Sequence, residues 1–274
     1  MIWKLSPTQL SMFLGCAAAY YQRYILGRKT PPGIALAMGT GLDEAANVNF
    51  IQKQATRVDL PLEEFEDAAA TAFERRIRQD GLLLTREDMS RGSDLVIAEA
   101  KDKTVEIARK LGECVAPLIQ PVGVQLTVEF MRDANPGVVH FGKIDVMDET
   151  HDVIDVKSSA NRWAKEKASS QVQPTFYING VKETLNADPK RFLYHIITKG
   201  KKPVHQVVET FRDESDLIAL DESVKTMVNM RNAGLFPPCD PDGWRCGPKW
   251  CGFYLAGCKY ISKRRTTIYI NREV

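Results

Sequence analysis

The stretch "VVHFGKIDVMDETHDVIDVKSS", residues 138–159, decides the fold of this chain. It predicts two β-strands joined by the polar turn "DETHD", because apolar and polar residues alternate on both sides of that turn. Asp155 and Lys157 stand two residues apart, so they project from the same face of the second strand. The hairpin brings Asp145, in the first strand, alongside them. The pattern therefore predicts two carboxylates and an ammonium group converging in one small sheet.

These three charged groups could form a structural ion pair or a metal-binding catalytic site. An ion pair at the end of a strand is worth little if it is exposed. Two carboxylates in one small volume, however, repel each other unless a cation joins them. Mg²⁺ is the natural candidate, since it takes oxygen ligands from one or two carboxylates together with water and phosphate. A lysine beside such a site can orient or help to deprotonate a metal-bound water, or stabilise phosphate charge.

Composition excludes several classes of protein. The 274 residues are 44% hydrophobic and 26% charged, which is typical of a globular chain with a substantial core. The net charge of +2 requires any affinity for nucleic acid to come from local basic patches. No apolar run approaches membrane-spanning length, and "MIWKLSPTQL" has no signal-peptide core. We therefore expect a cytoplasmic protein, or one in the host cytoplasm if phage-encoded. Its six cysteines are then free, metal-bound or redox-linked rather than a disulfide framework.

The chain is predicted to form a single domain, residues 1–274, with three parts. Residues 1–120 are mainly helical, with a helix over 5–27, another over 38–55 and two or three more over 61–120. Residues 121–235 form the sheet core: strands at "VQLTVEFMR", in the hairpin, at "RFLYHIIT" and at "HQVVETFR", a helix over 169–184 and a closing helix ending at Gly234. Residues 236–274 are a Cys-rich tail. The fold class is α/β (α+β), a small mixed sheet flanked by helices.

The motifs together resemble the PD-(D/E)xK nuclease superfamily, and within it the RecB-like exonucleases. The resemblance rests on "GKIDV" followed by "VIDVKSS", and on a helix in which "QPTFY" supplies a Q-x-x-x-Y motif. Upstream, "GTGLDEA" matches a family helix of the type "GTAVHEA", with Asp43 in place of the family histidine. The resemblance implies a restriction-endonuclease-like core. It implies a catalytic set of Asp145, Asp155, Lys157, Gln173 and Tyr177. It implies metal ligands Asp43, Asp145, Asp155 and the carbonyl of Val156.

The cysteines extend the resemblance to the ends of the chain. RecB-like nucleases with an iron–sulfur cluster carry one cysteine in the first helix and three near the C-terminus. The matching residues here are Cys16, Cys246, Cys251 and Cys258. The resemblance implies a structural 4Fe–4S cluster, with Zn²⁺ as the alternative, that ties the first helix to the tail. The spacing of the last three is wider than the common form. Cys239 is a possible substitute ligand, and Cys114 reads as an ordinary buried thiol.

The resemblance implies a DNA exonuclease dependent on Mg²⁺ or Mn²⁺, acting in recombination, repair, phage replication or CRISPR adaptation. The expected partner is DNA, single-stranded or with free ends, and no membrane. Two basic stretches with an interleaved aromatic residue, "NRWAKEK" (161–167) and "KYISKRR" (259–265), suit single-stranded DNA or are ordinary solvated faces. The alternative function is a non-catalytic nucleic-acid-binding module that retains the fold and the cysteine-bound metal that ties the first helix to the tail.

Overall fold

The computed structural model describes residues 2–247, 250–254, 258 and 267–270. The first half of the chain is mainly helical, as predicted, with breaks at Gly81 and Gly92. Its elements in chain order are β1 (Trp3–Leu5), α1 (Pro7–Gly15), α2 (Ala17–Tyr20), a π-helical turn (Tyr21–Ile25), α3 (Ile34–Thr56), α4 (Leu62–Asp80), β2 (Leu82–Thr85), α5 (Arg86–Arg91) and α6 (Ser93–Cys114).

The predicted N-terminal helix over residues 5–27 is wrong in one respect, because it breaks at Cys16. This residue is extended, with φ −167° and ψ 99°, and separates α1 from α2. Its amide still donates to the carbonyl of Met12 at 2.8 Å. Its thiol accepts a hydrogen bond from the backbone N–H of Cys239 at 3.3 Å. The helix is therefore interrupted at the residue where the C-terminal tail makes contact.

The second half supplies the predicted strands and helices and adds short ones. Its elements are β3 (Pro121–Met131), β4 (Val138–Asp148), β5 (Val153–Ser159), α7 (Lys165–Ser169), α8 (Val172–Leu185), β6 (Phe192–Thr198), β7 (His205–Thr210), α9 (Glu214–Asn232) and β8 (Thr267–Ile270). The sequence analysis did not predict β1, β2 or β8. Both β1 and β2 are too short to show a period, and each is defined by pairing with a distant strand, β1 with β4 and β2 with β8.

The central sheet is mixed and has helices packed on it, so the predicted fold class is confirmed. Its order is β1-β4-β5-β6-β7, with β3 paired to β4 as well. The β1–β4 and β5–β6 pairs are parallel, and the others are antiparallel. One apolar core lies among α3, α4, α6 and residues such as Ile154 and Val156. A second lies among α1, α8, α9 and residues such as Val153.

An opening along β4 positions the candidate site. Strand β3 occupies one edge of β4, so β1 and β5 share the other. On that second edge β1 pairs with Val138–His140, whereas β5 pairs only with Val146 and Met147. Between His140 and Val146 this edge has no strand partner in the part of the chain that the structure describes. Among the described residues, no helix is long and apolar enough to cross a membrane.

Candidate active site

Asp155 lies at the centre of a hydrogen-bonded group on β5. Its side chain is almost fully buried, and the Nζ atom of Lys157 lies 2.7 Å from Oδ1 and 2.6 Å from Oδ2. Strand alternation places both residues on one face, away from the core that contains Ile154 and Val156. Burial lowers the pKa of Lys157, but the charges of Asp155 and Asp145 outweigh burial and raise the pKa overall. The ammonium therefore stays charged, while 38% of the side chain remains open to solvent.

Asp145 lies opposite Asp155 across the start of the β4 opening. The ladder pairs Val146 with Ile154, and its continuation by one residue sets Asp145 against Asp155. Burial raises the pKa of Asp145 well above its usual range, and the charge of Asp155 raises it further. The Asp145 and Asp155 carboxyls are close enough for a hydrogen bond between them when one of them holds a proton. The two carboxylates cannot both carry full charge without a further cation.

Asp43, on α3, is the third carboxylate in this group. Its side chain is exposed to solvent, although many protein atoms surround the carboxylate. Partial burial raises its pKa to about 6; Lys157 lowers the pKa and Asp155 raises it. The neighbouring Glu44 turns away and pairs with Arg75 at 3.1 Å. The fold thus brings Asp43, about a hundred residues distant in sequence, within electrostatic reach of the β4–β5 pair.

Gln173 and Tyr177 approach the same carboxylate from α8. The Nε2 atom of Gln173 donates to Asp155 Oδ1 at 2.9 Å. One helical turn on, Tyr177 is hydrogen-bonded to Gln173, while burial and the charge of Asp145 raise its pKa to about 12. Its ring packs on Gly142, where an added Cβ would lie 2.5 Å from Cε1 of the tyrosine. Gly142 in "GKID" therefore makes room for Tyr177.

Tyr194 is a residue that sequence reasoning missed. It is fully buried in β6 and is paired in register with Asp155. Its hydroxyl has no hydrogen-bond partner within the described residues, and burial followed by the charge of Asp155 raises its pKa. In "RFLYHIIT" it looks like any aromatic residue of a buried strand. Only the parallel β5–β6 register reveals that it borders the carboxylate.

The carboxylates form no ready-made metal cage. In the described ranges, no group of three or more His, Cys, Asp or Glu side chains has the arrangement of a metal site. The cation in contact with Asp155 is the ammonium of Lys157. The donor set still suits Mg²⁺ or Mn²⁺, because Asp145 and Asp155 are neighbouring oxygen donors, and the charge of Asp155 is one cause of the raised pKa of Asp145. Val156 lies in β5 with its side chain in the core.

The tail brings its cysteines to the N-terminal helices. Cys239 is hydrogen-bonded to Cys16 and to Cys246, and burial followed by these neighbours raises its pKa to about 12. The pKa of Cys251 is raised by burial, and Cys16 and Cys258 are within electrostatic reach of it. Cys239, which the sequence left as a substitute ligand, is thus the cysteine hydrogen-bonded to Cys16. The described thiols are not arranged as a metal site.

The sequence also singles out Cys114 and the basic stretch of the tail. Cys114, predicted to be a buried thiol, is instead half-buried at the end of α6, where it is hydrogen-bonded to Lys110. The basic stretch 259–265 lies outside the described residues. The tail still meets the N-terminal region through described contacts. Ala18 N–H donates to the Pro237 carbonyl at 3.0 Å.

Comparisons with known proteins give a consistent result. The sequence model of the PD-(D/E)XK nuclease superfamily matches residues 4–260. Among curated proteins, none matches this chain. A crystal structure of a provisionally assigned exonuclease from Eubacterium rectale is similar, with a TM-score of 0.58 and 13% identity over 89% of this chain and 86% of that one. The protein SSO0001 matches with a TM-score of only 0.26 and 11% identity, over 81% of this chain and 85% of its own. The first similarity is one of fold, and the second is too low to show a shared fold.

Proposed function

The chain belongs to the PD-(D/E)XK nuclease superfamily, and from that premise we propose that it is a metal-dependent deoxyribonuclease of the RecB-like type, acting as an exonuclease. The observation that carries the proposal is the contact of Asp155 with both Lys157 and Gln173, opposite the second carboxyl, Asp145. A structural ion pair alone needs neither the second carboxylate nor the amide. Hydrolysis of a phosphodiester uses all of them.

The carboxylates of Asp145 and Asp155, with Asp43 and the carbonyl of Val156, would hold Mg²⁺ or Mn²⁺. A divalent cation bound there supplies Lewis-acid polarisation of the scissile phosphate and a bound water of lowered pKa. Asp145 would be ionised when it holds that cation, because a bound cation favours the charged form of a carboxylate.

Lys157 and the α8 residues act through position and charge. Because the carboxylates keep Lys157 protonated, it serves as a fixed positive charge that orients the attacking water and stabilises the phosphate in the transition state. Gln173 fixes the rotamer of Asp155 by donating to Oδ1. Tyr177, neutral at working pH, supports Gln173 and adds no charge to the site.

Release of nucleotides from end-labelled DNA tests the function. Purified protein with Mg²⁺ should shorten linear single-stranded DNA from an end, and EDTA should stop the reaction. A circular single strand of the same sequence should resist an exonuclease and be cut by an endonuclease. Binding of DNA in Mg²⁺ with no release would support the non-catalytic binding module instead.

The raised pKa of Asp43 predicts how the affinity for metal depends on pH. A proton and a cation compete for its carboxylate, whose pKa is raised to about 6. Affinity for Mn²⁺ should therefore rise as the pH increases from 5 to 7, and Asp43→Asn should weaken binding and flatten that rise. Isothermal titration of Mn²⁺ at several pH values measures both effects. If the Mn²⁺ titration of Asp43→Asn matched that of wild type, Asp43 would be a solvated residue of α3 and not a metal ligand.

The same carboxyl affects the stability of metal-free protein. A group whose folded pKa is raised stabilises the fold below its unfolded pKa, near 3.8, and that stability is lost as the pH rises through about 6. In EDTA, Asp43→Asn should lose less stability than wild type between pH 4 and 7. Glu44→Gln, on the same helix but paired with Arg75, is the matched control and should follow wild type.

The cysteines are proposed to hold a structural 4Fe–4S cluster, with zinc as the alternative. The support is the gathering of the first-helix and tail thiols, and four thiolates suit either metal. Ligation by Cys16, Cys246, Cys251 and Cys258 would close a loop of more than two hundred residues. Cys239 is a competing ligand because it lies beside Cys16.

Anaerobic purification and serine substitutions test the cysteine proposal. The protein should be brown with broad visible absorbance, and Cys16→Ser should remove the colour and lower the melting temperature. Cys239→Ser decides whether that thiol belongs to the ligand set. Cys114→Ser is the control and should change neither property. A colourless protein with one bound zinc would contradict the iron–sulfur cluster. A metal-free protein in which Cys16→Ser melts like wild type would contradict any metal site that ties the first helix to the tail.

A further inference from the structure

A groove of about 1900 Å³ opens beside the candidate active site. Its wall includes Ser158 and Ser159, which directly follow Lys157 at the end of β5. From there it runs along the start of α3 and the α1–α2 break to the cysteine tail, with Trp244 and Trp250 at its lining. The candidate carboxylates do not line the groove, so a ligand lying in it would have one segment beside Ser158 and Ser159, one and two residues beyond Lys157.

Lys167 and Lys199 both line this groove. Lys199 and Lys167 form no ion pair with any carboxylate of the described residues, whereas Arg76 and Arg91 in the same groove pair with Asp80 and Glu99. Burial lowers the pKa of both lysines, and no neighbouring charge offsets it. Lys167 remains exposed, whereas Lys199 is half-buried and has lost part of its hydration without gaining a counter-charge, which an anionic ligand would supply.

Both lysines are tied to the end of β5. The backbone N–H of Lys199 donates to the carbonyl of Ser159 at 2.8 Å. Lys167 Nζ lies 4.2 Å from the centre of the Trp163 ring, and Trp163 Nε1 donates to Ser159 Oγ at 3.2 Å. Lys199 through its backbone, and Lys167 through Trp163, are thus linked to Ser159, two residues beyond Lys157, on the side where the phosphate next to the one being cut would lie.

The far part of the groove presents indole rings to solvent. Trp244 is 66% and Trp250 59% exposed, and their rings meet edge to face with centroids 5.5 Å apart. The guanidinium of Arg245 lies over Trp244 at 5.2 Å. Exposed indoles beside cations suit bases that are free to stack, and only an unpaired strand offers such base faces.

We propose that this groove is the path of single-stranded DNA, with Lys167 and Lys199 binding the backbone phosphates next to the scissile one and Trp244 stacking a base farther along. The inference rests on the proposed nuclease function and adds its strand preference. A duplex keeps its bases stacked on each other, so it would gain nothing from the indoles.

Salt dependence of binding tests the phosphate contacts. The probe is a fluorescent oligothymidylate of about 16 nucleotides, the upper end of the range of site sizes for single-strand-binding folds. Binding is measured in EDTA so that no cleavage occurs. Each phosphate contact to a single strand contributes about 0.7 to the slope of log affinity against log salt. The double variant Lys167→Gln/Lys199→Gln should therefore bind more weakly, with a slope smaller by about 1.4. The variant Lys167→Arg/Lys199→Arg should keep the wild-type slope.

Substitution of the indole tests the stacking. Trp244→Ala should weaken binding of the same oligonucleotide about 5- to 150-fold, the range for loss of one stacked base. It should leave the salt slope unchanged. Lys225→Gln, on an exposed face of α9 outside the groove, is the matched control and should bind like wild type.

Two results would contradict the proposed path of single-stranded DNA. One is a double glutamine variant with wild-type affinity and salt slope. The other is wild-type protein that binds a blunt duplex as tightly as the single strand. Failure of the proposed function looks different. Protein that binds the strand through the groove but releases no nucleotide in Mg²⁺ would contradict the nuclease and support the groove.

Discussion

Asp145→Asn is expected to abolish DNA cleavage, by at least about a thousandfold, while DNA binding in EDTA stays near wild type. The carboxylate would bind the cation rather than the DNA, so its charge matters for the reaction and little for affinity. The measurement is the single-turnover rate on labelled single-stranded DNA at saturating Mg²⁺. Asp155→Asn should lose cleavage similarly.

Stability separates this function from a structural role for the same residue. Burial and Asp155 raise the pKa of Asp145, so its ionisation at neutral pH costs folding stability when no metal is bound. Asp145→Asn should therefore melt at the same temperature as wild type or higher, in EDTA at pH 7.5. Glu149→Gln, in the exposed turn of the same hairpin, should retain cleavage. Wild-type cleavage by Asp145→Asn would mean that the metal site lies elsewhere.

Lys157→Ala should reduce the cleavage rate about 10²- to 10³-fold, the usual effect of losing one group that stabilises transition-state charge. Metal binding should survive, because removal of the ammonium leaves Asp155 and Asp145 without their nearest positive charge. Lys157→Arg retains a cation in a wider group and should keep part of the activity. Single-turnover rates and Mn²⁺ titration measure the two effects separately.

The opposite pattern would assign Lys157 a different role. If Lys157→Ala lost metal binding together with cleavage, the lysine would serve mainly to hold Asp155 in place. Lys143→Ala is a suitable control, since this exposed lysine stands two residues from Asp145 on β4. Its removal should affect rate far less than loss of the ammonium bonded to Asp155.

The hairpin shows how much of the fold local sequence predicts. Alternation over residues 138–159 predicts both strands and their turn, and the structure has β4 and β5 there. The spacing of Asp155 and Lys157 predicts a shared face, and their contact follows from it. Gln173 and Tyr177 share one face of a helix for a similar reason.

The sequence by itself therefore determined the mixed α/β class, the hairpin and the pairs of groups two or four residues apart, because backbone periodicity fixes which neighbours share a face. Only the tertiary structure decided the partners that are distant in sequence. Asp43 reaches the β4–β5 carboxylates because α3 packs there, and Tyr194 borders Asp155 because β6 runs parallel to β5. The break at Cys16 and its contact with Cys239, 223 residues away, depend on where the tail docks. No local pattern encodes such contacts, since they arise from how the packed elements share one interior.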